Sequence, residues 1–298
     1  MSEKVGFIGL GTMGQPMAGR ILGAGFPLTL WNRTLAKTED LAKKGAKVAT
    51  SPKEVATQSD IFISMISDGP ALEAITFGES GALAGAKSSS VFIDMSTVDP
   101  ESSLRVAKAV EEKGVKMLRA PVSGSTVFAA SGTLTILASG ERGAFDRCQP
   151  VFKAMGQKIF HVGTGDEARY LKLVLNMMVG TTCQMLAEAL IFGKKAGLDW
   201  KQMLEIISNS VVGSPLVNYK AGPIRERSFK PAMTASLMAK DFDLALRVGS
   251  QLGVALPTIG LVRQFLGMMK ATGRGELDFS GLILLMEELA GIKDPYKS

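Results

Sequence analysis

The stretch Val5-Gly6-Phe7-Ile8-Gly9-Leu10-Gly11-Thr12-Met13-Gly14-Gln15-Pro16-Met17 decides how the chain is read. It opens on a short apolar run, Lys4 to Ile8, with strand character. A G-x-G-x-x-G follows, with glycines at 9, 11 and 14, and then a helical pattern from Met13 to Leu22. Glycine turns are common, so the motif says little by itself. Between a strand and a helix it acquires a mechanism. Gly9 permits the tight turn, Gly11 lets backbone approach a pyrophosphate, and Gly14 lets helix and strand pack closely. The helix start then offers unpaired N–H groups and a positive dipole end to the phosphates. The stretch predicts a dinucleotide-binding turn; the alternative is a strand–turn–helix without a ligand.

Outward from this loop, short apolar runs alternate with amphipathic stretches. Leu28–Trp31, Ile61–Met65, Val91–Asp94, Lys116–Leu118, Leu134–Leu137 and Lys158–His161 read as strands. Thr34 to Lys44 reads as a helix with Thr34 as N-cap and Gly45 as its stop. Strands alternating with helices imply a mostly parallel sheet covered on both faces. After Gly163-Thr164-Gly165 the pattern changes. Apolar positions run at helical spacing from about Asp166 to Ala196, with Gly180 and Gly193 as weak points, and no strand signal returns. The expected fold is α/β: a Rossmann-type doubly wound sheet over residues 1–162, then an all-α domain over 163–298, joined by a long helix.

The end of the second strand tests the cofactor. A free ribose 2′-hydroxyl wants Asp or Glu about 20 residues beyond the loop. The chain has Trp31-Asn32-Arg33-Thr34 there, with Lys37 one turn on. An arginine can pair bidentately with a 2′-phosphate, and Asn32 and Thr34 can add hydrogen bonds. The pattern favours NADP(H) over NAD(H); the other reading leaves Arg33 as a solvated loop charge.

Composition excludes several classes. Charged residues are 21% and hydrophobic ones 46%, the balance of a globular enzyme rather than a disordered chain. The net charge of +6 is scattered without a basic block, which argues against nucleic acid. Cys148 and Cys183 fit neither a metal spacing nor a disulfide framework, and read as reduced buried thiols. The single histidine, His161, supplies neither a histidine metal site nor a triad, and reads as the close of a strand. No metal is expected. No leader pattern and no apolar run of spanning length is seen, so a cytoplasmic protein without membrane contact is expected.

The chemistry needs an acid or base near the carbon that exchanges hydride. Lys172 and Asn176 stand four apart on the long helix and share a face. Their neighbours Leu171, Leu173, Val174, Leu175, Met177 and Met178 are apolar, and a desolvated lysine holds its proton less tightly. Such a lysine can protonate a developing alkoxide; the other reading is a surface lysine with its stem laid on apolar ground. Ala120-Pro121-Val122-Ser123-Gly124-Ser125 is a small-residue loop able to present N–H groups and hydroxyls to a carboxylate. Asp94-Met95-Ser96-Thr97 ends a strand, where ligands gather in open α/β sheets; Ser96 and Thr97 could reach a nicotinamide or cap the next helix. Lys240-Asp241 lies in a helical stretch, where such pairs usually sit in solvent.

Taken together, these pieces resemble the β-hydroxyacid dehydrogenases, which include 3-hydroxyisobutyrate dehydrogenase and the glyoxylate/succinic semialdehyde reductases. Five motifs carry the resemblance in order along nearly the whole chain: GFIGLGTMGQPM, DMSTVDP, APVSGS, the Lys172…Asn176 pair and Lys240-Asp241. The resemblance implies hydride transfer between NADP(H) and a small acid, interconverting a β-hydroxyacid and its semialdehyde. It implies Lys172 and Asn176 as catalytic residues, and Ser123, Gly124 and Ser125 as substrate-binding ones. Gly9, Gly11, Thr12, Met13, Gly14, Asn32, Arg33, Thr34, Met65, Ser96, Thr97 and Lys240 would contact the cofactor. A homodimer or homotetramer acting on a small carboxylate is implied as well. An imine reductase-like enzyme and a non-catalytic NADPH-binding protein are the rival readings. Arg119, Ser125 and Met233 depart from the family pattern, and Asp166-Glu167-Ala168-Arg169 lacks a glycine usual before the lysine. If Arg119 or Arg169 points into the site, a second carboxylate on the substrate is expected.

Overall fold

The computed structural model describes residues 2–292. It divides into two compact units, one ending at Lys172 and the other beginning at Leu173. The first unit holds nine strands among the described residues: β1 Val5–Ile8, β2 Leu28–Trp31, β3 Lys47–Val48, β4 Ile61–Ser64, β5 Val91–Asp94, β6 Lys116–Arg119, β7 Val122–Ser123, β8 Leu134–Gly140 and β9 Gly156–His161. Their order is β3-β2-β1-β4-β5-β6-β8-β7, with β9 on β8. Pairings from β3 to β6 are parallel, and β8 turns antiparallel against β6. The order reverses between β1 and β4, so the crevice at their carboxyl ends is where this architecture takes a ligand.

Every residue of β1, β4 and β5 is buried. Central parallel strands covered on both faces read as unbroken apolar runs, which is why the pattern finds them. Alternate side chains feed two separate cores. Phe7, Ile61, Ile63 and Ile93 join one, while Ile8, Phe62 and Phe92 join the other. Phe62 and Phe92, partners in register, stack with ring centroids 4.8 Å apart. His161 closes β9, with Nε2 2.9 Å from the Gly140 carbonyl oxygen and its ring against Phe145.

Three expectations need correction. The helix read over Thr34–Lys44 is a 3-10 turn, Leu35–Thr38, followed by a short helix, Glu39–Ala42. The Thr34 side chain caps nothing, and Thr38 bonds back to the Leu35 carbonyl, which tightens the first turn. Two short strands, β3 and β7, escape the sequence pattern. Finally, the helix Glu167–Lys195 is long and apolar enough to cross a bilayer by length and composition alone. Its Leu186, Ala187, Leu190 and Ile191 pack in the core of the second unit.

The second unit is helical. The long helix lies with Trp200–Asn209, Pro215–Arg225, Ala235–Gln251, Pro257–Ala271 and Leu282–Leu289. The two glycines that weaken the long helix on paper are required by packing. A Cβ at Gly180 would stand 2.5 Å from the Phe242 ring, and one at Gly193 would stand 2.2 Å from the Met203 sulfur.

Candidate active site

The glycine loop leaves the end of β1, and its three glycines differ in what demands them. Gly9 has φ +97°, and a Cβ there would lie 2.3 Å from the Met65 carbonyl oxygen at the end of β4. A Cβ on Gly14 would lie 2.0 Å from the Gly9 carbonyl. The chain's own packing therefore fixes both. Gly11 is different: a Cβ there meets nothing within 4 Å. Backbone there is open to an approach from outside, as a pyrophosphate at that place would need. Thr12 is exposed beside it. Helix Gly14–Gly23 begins at Met13 with no side-chain cap and no acid in its first turn, so its N-terminal N–H groups suit an anion.

Asn32 ties this loop to the end of β2. Its Oδ1 accepts the Leu10 N–H at 2.8 Å, and its Nδ2 donates to the Thr34 carbonyl at 2.9 Å. Arg33 and Thr34 are exposed, and among the described residues Arg33 makes no ion pair. The site elements of β2, β1, β4 and β5 thus come together along neighbouring carboxyl ends: Asn32–Thr34, the glycine loop, Met65, and Ser96 with Thr97.

At the end of β5 the structure shows a buried polar network. Asp94 Oδ1 accepts from Ser64 Oγ at 2.5 Å and from Ser96 Oγ at 2.7 Å. Its Oδ2 accepts from Arg169 Nη2 at 2.7 Å. Ser96 Oγ in turn accepts the Ile66 N–H at 2.9 Å. The Ser96 hydroxyl is engaged on both sides, holding the loop after β4 to the end of β5. Arg169 also donates from Nε to Ser103 Oγ and from Nη1 to the Ser96 carbonyl. Arg119, at the end of β6, donates to Asp166 Oδ1 at 3.0 Å. Arg119 and Arg169 are thus both paired with carboxylates of the chain itself. Neither guanidinium is left without a carboxylate partner of its own for a second substrate carboxylate to replace.

The loop Ala120–Ser125 includes β7 and leads into helix Thr126–Ser131. Gly124 has φ +132°, and Leu134 and Phe128 crowd its missing Cβ. Ser125 starts the helix without capping it, and its Oγ is buried with no hydrogen-bond partner among the described residues. A buried, unsatisfied hydroxyl costs about 1–3 kcal/mol, so a ligand atom there would relieve a standing penalty.

Lys172 is the last residue of the first unit. It is 9% exposed, which sets aside the surface reading. Asn176, one helical turn on, is 4% exposed, and its Nδ2 donates to Asp241 Oδ2 at 2.5 Å. Asp241 is buried rather than solvated, contrary to expectation, with Lys240 Nζ 3.0 Å from its other oxygen. Sequence reading did not foresee the buried network that joins Asp94, Ser64, Ser103 and Asp166. The one available signal was an acid closing an otherwise apolar strand run.

Two family models divide the chain. One, described as the NAD binding domain of 6-phosphogluconate dehydrogenase, matches residues 4–163. The other, described as NAD-binding of NADP-dependent 3-hydroxyisobutyrate dehydrogenase, matches residues 165–286. Glyoxylate/succinic semialdehyde reductase 1 of Arabidopsis thaliana is 35% identical over 94% of this chain and 97% of its own. The chain belongs to the β-hydroxyacid dehydrogenase family. A second member, 2-(hydroxymethyl)glutarate dehydrogenase of Eubacterium barkeri, is 35% identical over 98% of this chain and 97% of its own. The solved 3-hydroxyisobutyrate dehydrogenase of Mycobacterium tuberculosis, with L-serine, superposes with a TM-score of 0.86 at 27% identity, over 96% of this chain and 99% of the other. As a β-hydroxyacid dehydrogenase family member, the protein is an oxidoreductase with an NAD(P)-binding Rossmann domain and a helical C-terminal domain.

Proposed function

We propose that this enzyme uses NADPH to reduce a small aldehyde acid to its hydroxy acid, with Lys172 as the proton donor. The observation that carries the reading is a buried lysine one turn before an asparagine whose amide is pinned by Asp241. When bound, the nicotinamide supplies the hydride. Lys172 Nζ gives a proton to the carbonyl oxygen as that oxygen becomes a hydroxyl, and regains one from solvent. In the oxidative direction the neutral amine takes the proton back. Asn176, fixed by Asp241, stands one turn from Lys172 on the same helix. The free hydroxyl of Ser125 and the loop through Ser123 and Gly124 hold the substrate carboxylate.

Arg33 supports NADP(H): it is exposed and unpaired among the described residues, at a strand end with no acid. The pairing of Arg119 and Arg169 supports a substrate with one carboxylate, such as glyoxylate, succinic semialdehyde or methylmalonate semialdehyde. Cytoplasmic location and self-association belong to the same reading. Met178, Met185 and Phe192 stand seven apart on the long helix at 64%, 59% and 80% exposure, a stripe that a second copy would cover.

The test is NADPH consumption against these aldehyde acids and a cyclic imine, for wild type and Lys172→Ala. Turnover of an aldehyde acid that falls by about 10²–10⁴-fold in the variant is expected. Reduction of the imine alone, or a variant equal to wild type, would overturn the reading.

A further inference from the structure

The network at the end of β5 gathers parts of the chain that are distant in sequence. Ser64 ends β4, Asp94 ends β5, and Ser96 follows it. Ser103 lies in the helix Pro100–Glu112, and Arg119 ends β6. Asp166 and Arg169 come from the start of the long helix. Arg169 is the hub: its guanidinium reaches Asp94, the Ser96 carbonyl and Ser103 by three different nitrogens. Asp166, one turn earlier, accepts from Ser103 and from Arg119 on a single oxygen. Ser139 Oγ donates to the Gly165 carbonyl just before it.

We infer that Arg169, with Asp94 as its anchor, is the positioning residue for Lys172. Lys172 lies three residues beyond Arg169 on one helix. That offset is about 4.5 Å along the axis and about 60° around it. A guanidinium is planar and rigid, so three bonds from its fork fix the rotation as well as the depth of the turn that carries it. A lysine ammonium, which is a point charge, would fix depth alone. The anchor is also connected to the cofactor side of the sheet. Asp94 receives Ser96, and Ser96 holds the backbone N–H of Ile66, next to Met65 beneath the glycine loop. One buried carboxylate therefore references both the lysine turn and the loop after β4 to the same strand end. The arm from Arg119 to Asp166 steadies the helix start from the side of β6. Arg119, which departs from the family pattern, and Arg169 thus meet at the start of the same helix.

This inference rests on the proposed role of Lys172, and the experiment separates the two. Four proteins are compared: Lys172→Ala, Arg169→Met, Arg169→Lys and the double variant Arg169→Met with Asp94→Asn. Each is read for kcat, KM and thermal midpoint with NADPH and the best aldehyde acid. Arg169→Met leaves the buried carboxyl of Asp94 without its partner. The double variant removes that penalty, since an amide at 94 still bonds Ser64 and Ser96, and so recovers the midpoint. The guanidinium fork stays absent. The expected result is a recovered midpoint with kcat still down by on the order of 10–100-fold and KM within about threefold, because misplacement of a reacting group by about 1 Å costs that much. Arg169→Lys is expected to fall between. If kcat recovers together with the midpoint, Arg169 is structural only and the inference is overturned. If Arg169→Met alone does not fold, the double variant and Arg169→Lys still give the comparison. A Lys172→Ala protein as active as wild type would overturn the reading of Lys172 and this inference with it. An inactive Lys172→Ala beside a fully active double variant would overturn this inference alone.

Discussion

Arg169 and Asp94 form a buried ion pair, Nη2 to Oδ2 at 2.7 Å, with side chains 2% and 0% exposed. Breaking such a pair from one side leaves a charge with no solvent to answer it. Arg169→Met is expected to cost about 3–5 kcal/mol in urea unfolding, and adding Asp94→Asn to return most of it. A loss under about 1 kcal/mol, the range of surface pairs, would show that the pair contributes little to the fold.

The glycine loop separates folding from binding. Gly14→Ala drives a methyl to within 2.0 Å of the Gly9 carbonyl and should destabilise the protein by at least about 2 kcal/mol. Gly11→Ala meets open space. Its thermal midpoint should match wild type, while affinity for NADPH, followed by fluorescence titration, falls about tenfold or more. Equal affinity for the variant and the wild type would remove Gly11 from the cofactor's path.

Arg33→Ala tests the choice of cofactor. Losing a charge-assisted contact to a phosphate is worth about 1.5–3 kcal/mol, so KM for NADPH should rise by about 10–100-fold. KM for NADH should stay nearly unchanged. Equal changes for both would place Arg33 away from the 2′-position.

Asp278 gives the second unit an acid limit. Burial pushes its carboxyl upward, but the Lys220 charge, the Lys220 hydrogen bond at 2.7 Å and bonds from Ser280 outweigh burial and hold it below the usual range. The native value lies below the unfolded one of about 3.9. The stabilisation is therefore complete above that value and lost as pH falls through the native one. Lys220→Met removes the opposing charge and leaves burial to act. The acid limb of the stability curve should then move to higher pH, seen in urea titrations across the acid range. An unmoved limb would contradict the assignment.

Burial pushes the thiols of Cys148 and Cys183 up to about 12, so neither forms thiolate near neutrality. Ellman's reagent should find no reactive thiol in the folded protein and two after unfolding. Prompt reaction in the folded state would show that a unit opens locally.

Much of this was legible in the residues. The unbroken apolar runs of β1, β4 and β5 announce strands buried on both faces, and Gly9, Gly11 and Gly14 announce the turn between strand and helix. The exposed pair Lys47–Val48 of β3 carries no apolar signal, because it completes an edge by backbone pairing. The start of the Leu35–Ala42 segment hangs on one hydroxyl bonding backward at Thr38, which periodicity does not register. Lys172 and Asn176 could be read as neighbours on one helix face from their offset, since four residues place two side chains on one face. Asp94 and Arg169 could not be read as partners. They lie 75 residues apart, and spacing along a chain says nothing of pairs made by the sheet.

The two bonds of Asn32 have a consequence for anyone redesigning this enzyme. The usual route from a phosphorylated to an unphosphorylated dinucleotide installs an acid at the end of the second strand. At position 32 that acid would keep the acceptor for the Leu10 N–H but set a second oxygen 2.9 Å from the Thr34 carbonyl, where the amide now donates. Repulsion there would loosen the glycine loop, so affinity for either nucleotide would suffer before preference changed. Position 33 carries no such duty. On the proposed reading of Arg33, cofactor choice and loop integrity occupy adjacent residues, and a change at Arg33 leaves both bonds of Asn32 in place.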